Sequence, residues 1–266
     1  MTTAISIIRP GDAGYPKRLS ALEIDRTLHV RGELAIGSAV AIVGARAASQ
    51  VGMDRAHALA RHLAAAGVHV VSGGALGIDG AAHRGALAAP GGRTTVVLGS
   101  GVDVAYPVRH THLFDQIIAA GGALVSELAP GTQPRRGTFI KRNALIAALA
   151  DVVIVVEADV QSGSLSTAAA ARKLGRVVAA YPGSRGCHQL LATGAALVEE
   201  PADGLAILAG RVRHPAPVVL DANAQRVRDA IAAGARGIDA IVRYTGLSVR
   251  AVLRALPQLE SSARLQ

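Results

Sequence analysis

The sequence contains a single cysteine, Cys187, and no tryptophan among its 266 residues. One cysteine excludes an internal disulfide framework and a cysteine-based zinc site. Apolar runs also stay short, and none reaches the roughly 18 residues that a membrane-spanning helix needs. Arg9 follows the short apolar stretch at the N-terminus instead of preceding it, so no secretory signal is predicted. These absences predict a soluble protein of the cytoplasm.

Aromatic residues make up only 2% of the chain, which excludes extended base-stacking platforms and leaves one or two rings for such contacts. Lysine is scarce as well. Three lysines accompany 25 arginines, and 28 basic against 19 acidic residues give a net charge of +9. A high-GC genome explains arginine in place of lysine but not the surplus of positive charge. The charge therefore favours a polyanionic partner such as nucleic acid.

The positive charge is concentrated towards the end of the sequence. Residues 211–266 hold nine basic and four acidic residues, against 14 and 11 in residues 39–210. Two prolines in a stretch without periodicity indicate a linker after residue 210. We therefore predict an N-terminal extension packing on the core (1–38), a core domain (39–210), a linker (211–221) and a small C-terminal domain (222–266).

The core alternates short apolar, β-branched runs with amphipathic stretches. Six runs are predicted strands: Val40–Val43, Val68–Ser72, Thr94–Leu98, Ala123–Ser126, Val152–Val156 and Val177–Ala180. Five stretches between them are predicted helices: Gly52–Ala66, Ile78–Ala88, His110–Ala120, Phe139–Ala150 and Leu165–Leu174. This alternation is typical of an α/β, doubly wound Rossmann-like fold with a mostly parallel sheet.

The C-terminal segment has a different pattern. Asn223–Ala233 and Ile238–Tyr244 are predicted helices, and a turn containing Gly246 leads to a third helix, Val249–Leu256, with Ser248 as N-cap. This order predicts a helix-turn-helix in a small winged-helix-like helical module. A plain three-helix packing module without nucleic-acid contact is the alternative.

Glycines and hydroxyl residues follow four of the predicted strands, at the edge where ligands of doubly wound folds bind. Such loops expose backbone N–H groups and helix N-termini, which suit phosphate. Any single loop is weak support, because every α/β fold needs glycine in tight turns. Together they predict an anion pocket that includes Gly44, Ser72, Gly73, Gly74, Ser162, Gly163 and Ser164.

Known nucleotide and catalytic signatures are missing. The third glycine of a dinucleotide fingerprint fails after Gly99 and Gly101, and the chain has no P-loop motif. His83 near Asp79 is more often structural than catalytic, and Cys187 lacks a usable partner. We therefore predict no enzyme activity, no cofactor and no metal.

Residues 134–143 carry four cations around Phe139, one of only two phenylalanines. An aromatic ring among cations at the start of a helix can stack a base while its neighbours hold phosphates. Alternatively, Phe139 begins the core face of its helix and the cations are solvated.

Several strings of residues resemble the DprA (Smf) family of DNA-processing proteins. They are Ser72–Leu87, Val97–Pro107, Ser126-Glu127, the Phe139-x-x-Arg-Asn143 motif, Ser162–Ala168 and Tyr181–Ser184. The resemblance covers about residues 5–200 and is specific, because several motifs occur in order. The C-terminal helices resemble the winged-helix module of many members.

The resemblance implies a homodimer that binds single-stranded DNA, protects incoming DNA and loads the RecA recombinase in natural transformation. It implies that Arg46, Gly73, Gly74 and Arg136 grip phosphates, that Phe139 stacks a base, and that Lys141 and Arg142 extend the basic rim. Asn143 is predicted to belong to the same site. Leu76, Ile140 and Ala144 depart from the family's usual arginine, proline and arginine. The loss of two cations implies either weaker DNA binding or compensation by Arg135 and Lys141.

Two other functions stay open. One is a Rossmann-like nucleotide phosphoribohydrolase, although its Pro-Gly-Gly-x-Gly-Thr loop is absent from the sequence. The other is a transcription regulator that uses only residues 222–260.

Overall fold

The computed structural model describes residues 4–21, 26–35, 37–216 and 220–265. Within these residues, one mixed sheet has the strand order β1-β2-β6-β5-β4-β3-β7-β8-β9. The strands are β1 (Ile5–Ile8), β2 (Leu28–Gly32), β3 (Ala39–Val43), β4 (His69–Gly73), β5 (Thr94–Val97), β6 (Ala123–Ser126), β7 (Val152–Val155), β8 (Val177–Ala180) and β9 (Ala196–Leu197).

The core helices lie between these strands. They are α1 (Gln50–Ala65), α2 (Ile78–Leu87), α3 (Thr111–Ala119), α4 (Arg136–Ala148), α5 (Gly163–Lys173), α6 (Arg185–Ala192) and α7 (Pro201–Leu208). Short 3-10 helices occupy Lys17–Ala21 and Val108–His110. No helix in the described part of the chain is long and apolar enough to cross a bilayer.

Strands β3 to β9 pair in parallel with their neighbours. Strands β1 and β2 extend the sheet beyond β6 and pair in antiparallel fashion. Both faces are covered. Val40 and Ile42 pack with α1, α2 and α7, while Ala41 and Val43 pack with α4, α5 and α6. Burial on both faces explains why these strands are almost continuously apolar. The prediction of a doubly wound, mostly parallel fold is confirmed.

All six predicted strands and all five predicted core helices are present, with ends that differ by at most three residues. Helix α4 begins three residues earlier than predicted, at Arg136. Strands β1, β2 and β9 and helices α6 and α7 were not among the predicted elements. They are short, because none of them exceeds eight residues.

The C-terminal module contains α8 (Ala222–Ala232), α9 (Ile238–Thr245) and α10 (Val249–Leu265) around a separate small core. Gly246 ends α9 with a left-handed backbone, φ +69°. The Ser248 hydroxyl accepts a hydrogen bond from Ala251 N at 3.2 Å, so Ser248 caps α10 as predicted. Helix α10 is longer than predicted and contacts α6 of the core.

Candidate nucleic-acid interface

A cleft of about 700 Å³ opens at the carboxyl ends of β3, β4 and β7. The chain places β4 on one side of β3 and β7 on the other, so the cleft lies at the topological switch point of the sheet. Ligands of doubly wound folds bind at this place, because the loops of neighbouring strands diverge there.

The loop after β3 is fixed by a carboxylate that follows the neighbouring strand β7. Glu157 accepts hydrogen bonds from the Ser49 N–H and hydroxyl, and its carbonyl accepts from Ala45 N at 2.8 Å. Ser49 also caps α1. Arg46 at the tip is exposed. The loop therefore presents Arg46 to the cleft from a fixed backbone.

Two histidines support the glycine loop after β4. His83 Nε2 donates to the Gly73 carbonyl at 2.9 Å, and His110 Nδ1 donates to the Gly74 carbonyl at 3.1 Å. Burial lowers the pKa of His83 to about 3 and also lowers the pKa of His110. His83 is fully buried, so it serves the loop backbone and is not placed to act as an acid or base.

Phe139 projects from the first turn of α4 into the cleft. The Thr138 hydroxyl donates to the Gly99 carbonyl at 2.6 Å, which fixes the start of the helix on the loop after β5. The Arg46 guanidinium lies 5.3 Å from the centroid of the Phe139 ring, and the Tyr106 ring lies 5.6 Å away. Phe139 is thus a half-buried aromatic group that packs on Gly99 and lies beside a cation at the cleft.

Arg142 forms part of the cleft floor. Its side chain is 7% exposed, and its Nη1 donates to the Val97 carbonyl at 2.7 Å. Asp79 lies close by, across Gly73. Burial lowers the pKa of Arg142 and raises the pKa of Asp79, and the opposite charge of the partner counteracts each shift. Arg142 therefore does not extend the basic rim as expected, because its helical position turns it inward, and its contact with DNA stays a prediction.

The N-terminus of α5 faces the cleft opposite Arg46. Ser162 caps the helix by accepting from Ser164 N, and Asn143 Nδ2 donates to the Gly163 carbonyl at 3.1 Å. A helix N-terminus carries partial positive charge and suits an anion. Asn143 therefore positions the loop that offers this end of the helix.

The structure brings most of the predicted site residues together, and those that line the cleft are Gly44, Arg46, Phe139, Arg142, Asn143, Ser162, Gly163 and Ser164. Gly74 lines a smaller pocket that adjoins the cleft. Ser72 is fully buried and its hydroxyl donates to the Ile42 carbonyl, so its side chain is not available to a ligand. Gly73 is buried against Arg142. Lys141 is exposed outside the cleft lining. The Arg136 side chain lies outside the described residues.

Tyr106 lines the cleft beside Phe139 and is 43% exposed, but it was not among the predicted site residues. Its place depends on how the long loop after β5 folds back. The cleft wall formed by α4 could have been predicted from the sequence. Its residues Phe139, Arg142, Asn143 and Ile146 are spaced i, i+3, i+4 and i+7, which is helical spacing. This spacing puts all four on one face of α4, with Lys141 off that face.

The helix-turn-helix forms a second basic surface. Arg250 and Arg254 are exposed one turn apart on α10, and Arg243 is exposed at the end of α9. Arg226 donates from Nη2 to the Thr245 carbonyl and fixes the turn between these helices.

A doubly wound core with a cleft at its switch point, followed by a helix-turn-helix module, defines a Rossmann-like protein with a C-terminal winged-helix domain. The family model described as "DNA recombination-mediator protein A" matches residues 6–209, and the one described as "DprA winged helix domain" matches residues 211–261. The chain belongs to this DprA (Smf) family.

Relatives agree with this assignment. A putative DNA processing protein DprA of Mycobacterium tuberculosis is 45% identical over 84% of this chain and 60% of its own length. Protein Smf of Escherichia coli K12 is 41% identical over 72% of this chain and 54% of its own length. The chain therefore spans roughly half to two thirds of the length of these relatives.

Two solved structures share the fold. DprA of Streptococcus pneumoniae aligns with a TM-score of 0.70 at 38% identity, over 77% of this chain and 75% of that chain. DprA of Helicobacter pylori, described for its unique mode of single-stranded DNA binding, aligns with a TM-score of 0.69 at 30% identity, over 80% of this chain and 100% of that chain.

Proposed function

We propose that this protein binds single-stranded DNA in the cleft with little preference for base sequence. The observation that carries the proposal is the convergence of Arg46, Phe139, Arg142 and the N-terminus of α5 on one cleft. Arginines and backbone amides hold phosphates, and an aromatic ring accepts any base, because every base has a π-face. The Helicobacter pylori relative supports the choice of ligand.

Arg46 and Phe139 act one after the other when a DNA strand enters the cleft. The Arg46 guanidinium lies against the Phe139 ring before binding. A base that stacks on this side replaces the guanidinium, and the exposed Arg46 side chain then pairs with a neighbouring phosphate. The cation–π contact thus keeps the ring partly covered until a strand with both groups arrives.

The family further suggests the cellular role. We propose that the protein acts in the cytoplasm as a homodimer, protects incoming DNA and loads RecA recombinase during natural transformation. Sedimentation of the full chain tests the dimer. Assembly of RecA on an oligonucleotide, with and without the protein, tests loading, and an unchanged assembly rate contradicts it.

Salt titrations of single- and double-stranded oligonucleotides of equal length test DNA binding. We expect the single strand to bind more tightly, and its affinity to fall as salt rises, because phosphate contacts release counterions. Equal affinity for both forms, or an affinity that is flat from low to high salt, would exclude the proposed mode of binding.

We also propose that the protein is not an enzyme. The two carboxylates beside the cleft have structural duties, since Asp79 is buried behind Gly73 and Glu157 holds the loop that carries Ser49. Incubation with nucleoside monophosphates tests this proposal. Release of free base would favour the phosphoribohydrolase alternative.

A further inference from the structure

An apolar slot of about 110 Å³ adjoins the cleft. Its lining includes the rings of Phe139 and Tyr106, which contact each other with centroids 5.6 Å apart, and the remaining apolar contacts come from Leu76, Leu98 and Pro107. The slot contains few side-chain groups that hydrogen-bond to a base edge. It suits the flat face of an aromatic ring such as a nucleobase, and it offers little that would distinguish one base from another.

The cleft floor carries groups that suit an anion, and we call this part of the cleft the anion site. Arg142 is more than nine-tenths buried and lines the cleft, and its Nε has no hydrogen-bond partner among the described residues. Buried donors are normally paired, so this guanidinium points to a missing acceptor. The first residues of α5 line the same space and add the positive end of the helix dipole.

The slot and the anion site share Arg46, Tyr106, Phe139 and Arg142 in their linings. A ligand that fills both must join a flat ring to a phosphate through a short linker. We propose that the cleft also binds free nucleoside monophosphates, which compete with single-stranded DNA. This inference rests on the proposed DNA site and identifies one nucleotide unit as its smallest ligand, so that cellular nucleotides regulate DNA binding.

Equilibrium dialysis of the full chain with dTMP, thymidine and inorganic phosphate tests the inference directly. We expect dTMP to bind at millimolar concentration or below, and thymidine and phosphate to bind at least about tenfold more weakly, because each fills one half of the site. In parallel, dTMP should displace a fluorescent oligo-dT. No dTMP binding at about 10 mM, or equal binding of all three probes, would overturn the inference.

Leu76→Phe fills the slot without removing a charge, since Leu76 lies in the wall and is only partly buried. We expect at least a tenfold loss of dTMP affinity at an unchanged melting temperature. Ile7→Phe, on the exposed side of β1 at the far edge of the sheet, is the matched control. If Leu76→Phe binds dTMP normally, the slot is not the base site. If oligo-dT binds well but dTMP does not displace it, only this inference is wrong. If dTMP binds but oligo-dT does not, the proposed DNA function is wrong.

Discussion

Phe139 and Arg46 touch each other in the cleft, yet they contribute to DNA binding through different physics. Phe139→Ala removes a stacking ring, so we expect a loss of roughly 1–3 kcal/mol for the base that it contacts, with little change in the salt dependence. Arg46→Gln removes a phosphate partner, so we expect weaker binding and a salt slope that is smaller by about 0.7 on single strands. Oligonucleotide titrations at several salt concentrations measure both quantities.

The melting temperature of each variant is the control, because Phe139 also packs on Gly99. Phe139→Leu keeps most of the packing but not the aromatic face, and it should lose affinity as Phe139→Ala does. An affinity loss that only follows the loss of stability would assign Phe139 a packing role. The corresponding prediction for Arg136 as a phosphate contact stays a prediction.

Two buried histidines make the stability of the core depend on pH. Burial lowers the pKa of His83 to about 3 and the pKa of His69 to about 4, from an ordinary value of 6.5. Below pH 6.5 the unfolded chain therefore binds protons that the folded chain rejects. Each histidine should lower the free energy of unfolding by up to about 1.4 kcal/mol per pH unit as the pH falls.

Urea unfolding between pH 7.5 and pH 5 measures this dependence. His83→Gln retains a hydrogen-bond donor for the Gly73 carbonyl but does not titrate, so the slope should decrease by about one proton. A slope that His83→Gln leaves unchanged would show that His83 does not reject a proton in the folded chain.

At the scale of elements, the sequence predicts the buried parallel strands well, because strands with two covered faces are short apolar runs between turns. Strand β2 is absent from the predicted strands because only continuous apolar runs were used, although Leu28-His29-Val30-Arg31 alternates apolar and polar residues as a half-buried strand does. The four loops were expected to meet because parallel strands end at one edge of the sheet. The family resemblance places Arg142 at the basic rim with Lys141, whereas the helical spacing from Phe139 turns Arg142 inward and leaves Lys141 outside.

The loops of the cleft depend on one close backbone approach. Gly77 has φ +74° and ψ −125°, and a Cβ there would lie 2.4 Å from the Ala45 carbonyl oxygen. Gly77→Ala should therefore lower the free energy of unfolding by more than about 3 kcal/mol, because collision adds to backbone strain. It should also weaken DNA binding, since the collision moves the loop that carries Arg46.

Gly175→Ala is the control. Gly175 also has a positive φ, +67°, but a Cβ there meets nothing within 4 Å. We expect a cost of only about 1–2 kcal/mol and normal DNA binding. Chemical unfolding and oligonucleotide titration measure both variants. Equal costs for the two substitutions would mean that the loops can separate without penalty.

On the scale of the whole molecule, the cleft and the basic helix-turn-helix belong to different modules. The cleft is lined entirely by residues 43–167. The C-terminal module has its own core and meets the rest of the chain through α10 on α6. Whether the module adds to DNA binding therefore depends on its charge, since none of its described residues lines the cleft.

Deletion of residues 215–266 separates these contributions. The truncated chain keeps Arg213, whose guanidinium pairs with Asp203 at 2.7 Å and whose backbone carbonyl accepts a hydrogen bond from Leu197 N. The end of the core therefore stays anchored. Because the whole cleft remains, we expect affinity for single-stranded DNA to stay within about tenfold, or 1.4 kcal/mol, of that of the full chain. The deletion removes seven basic and four acidic residues, so the salt slope reports any phosphate contacts of the module.

Removing α10 uncovers part of α6, and the melting temperature must show that the core still folds. A folded truncation that has lost binding would place the dominant contacts on the helix-turn-helix and not in the cleft.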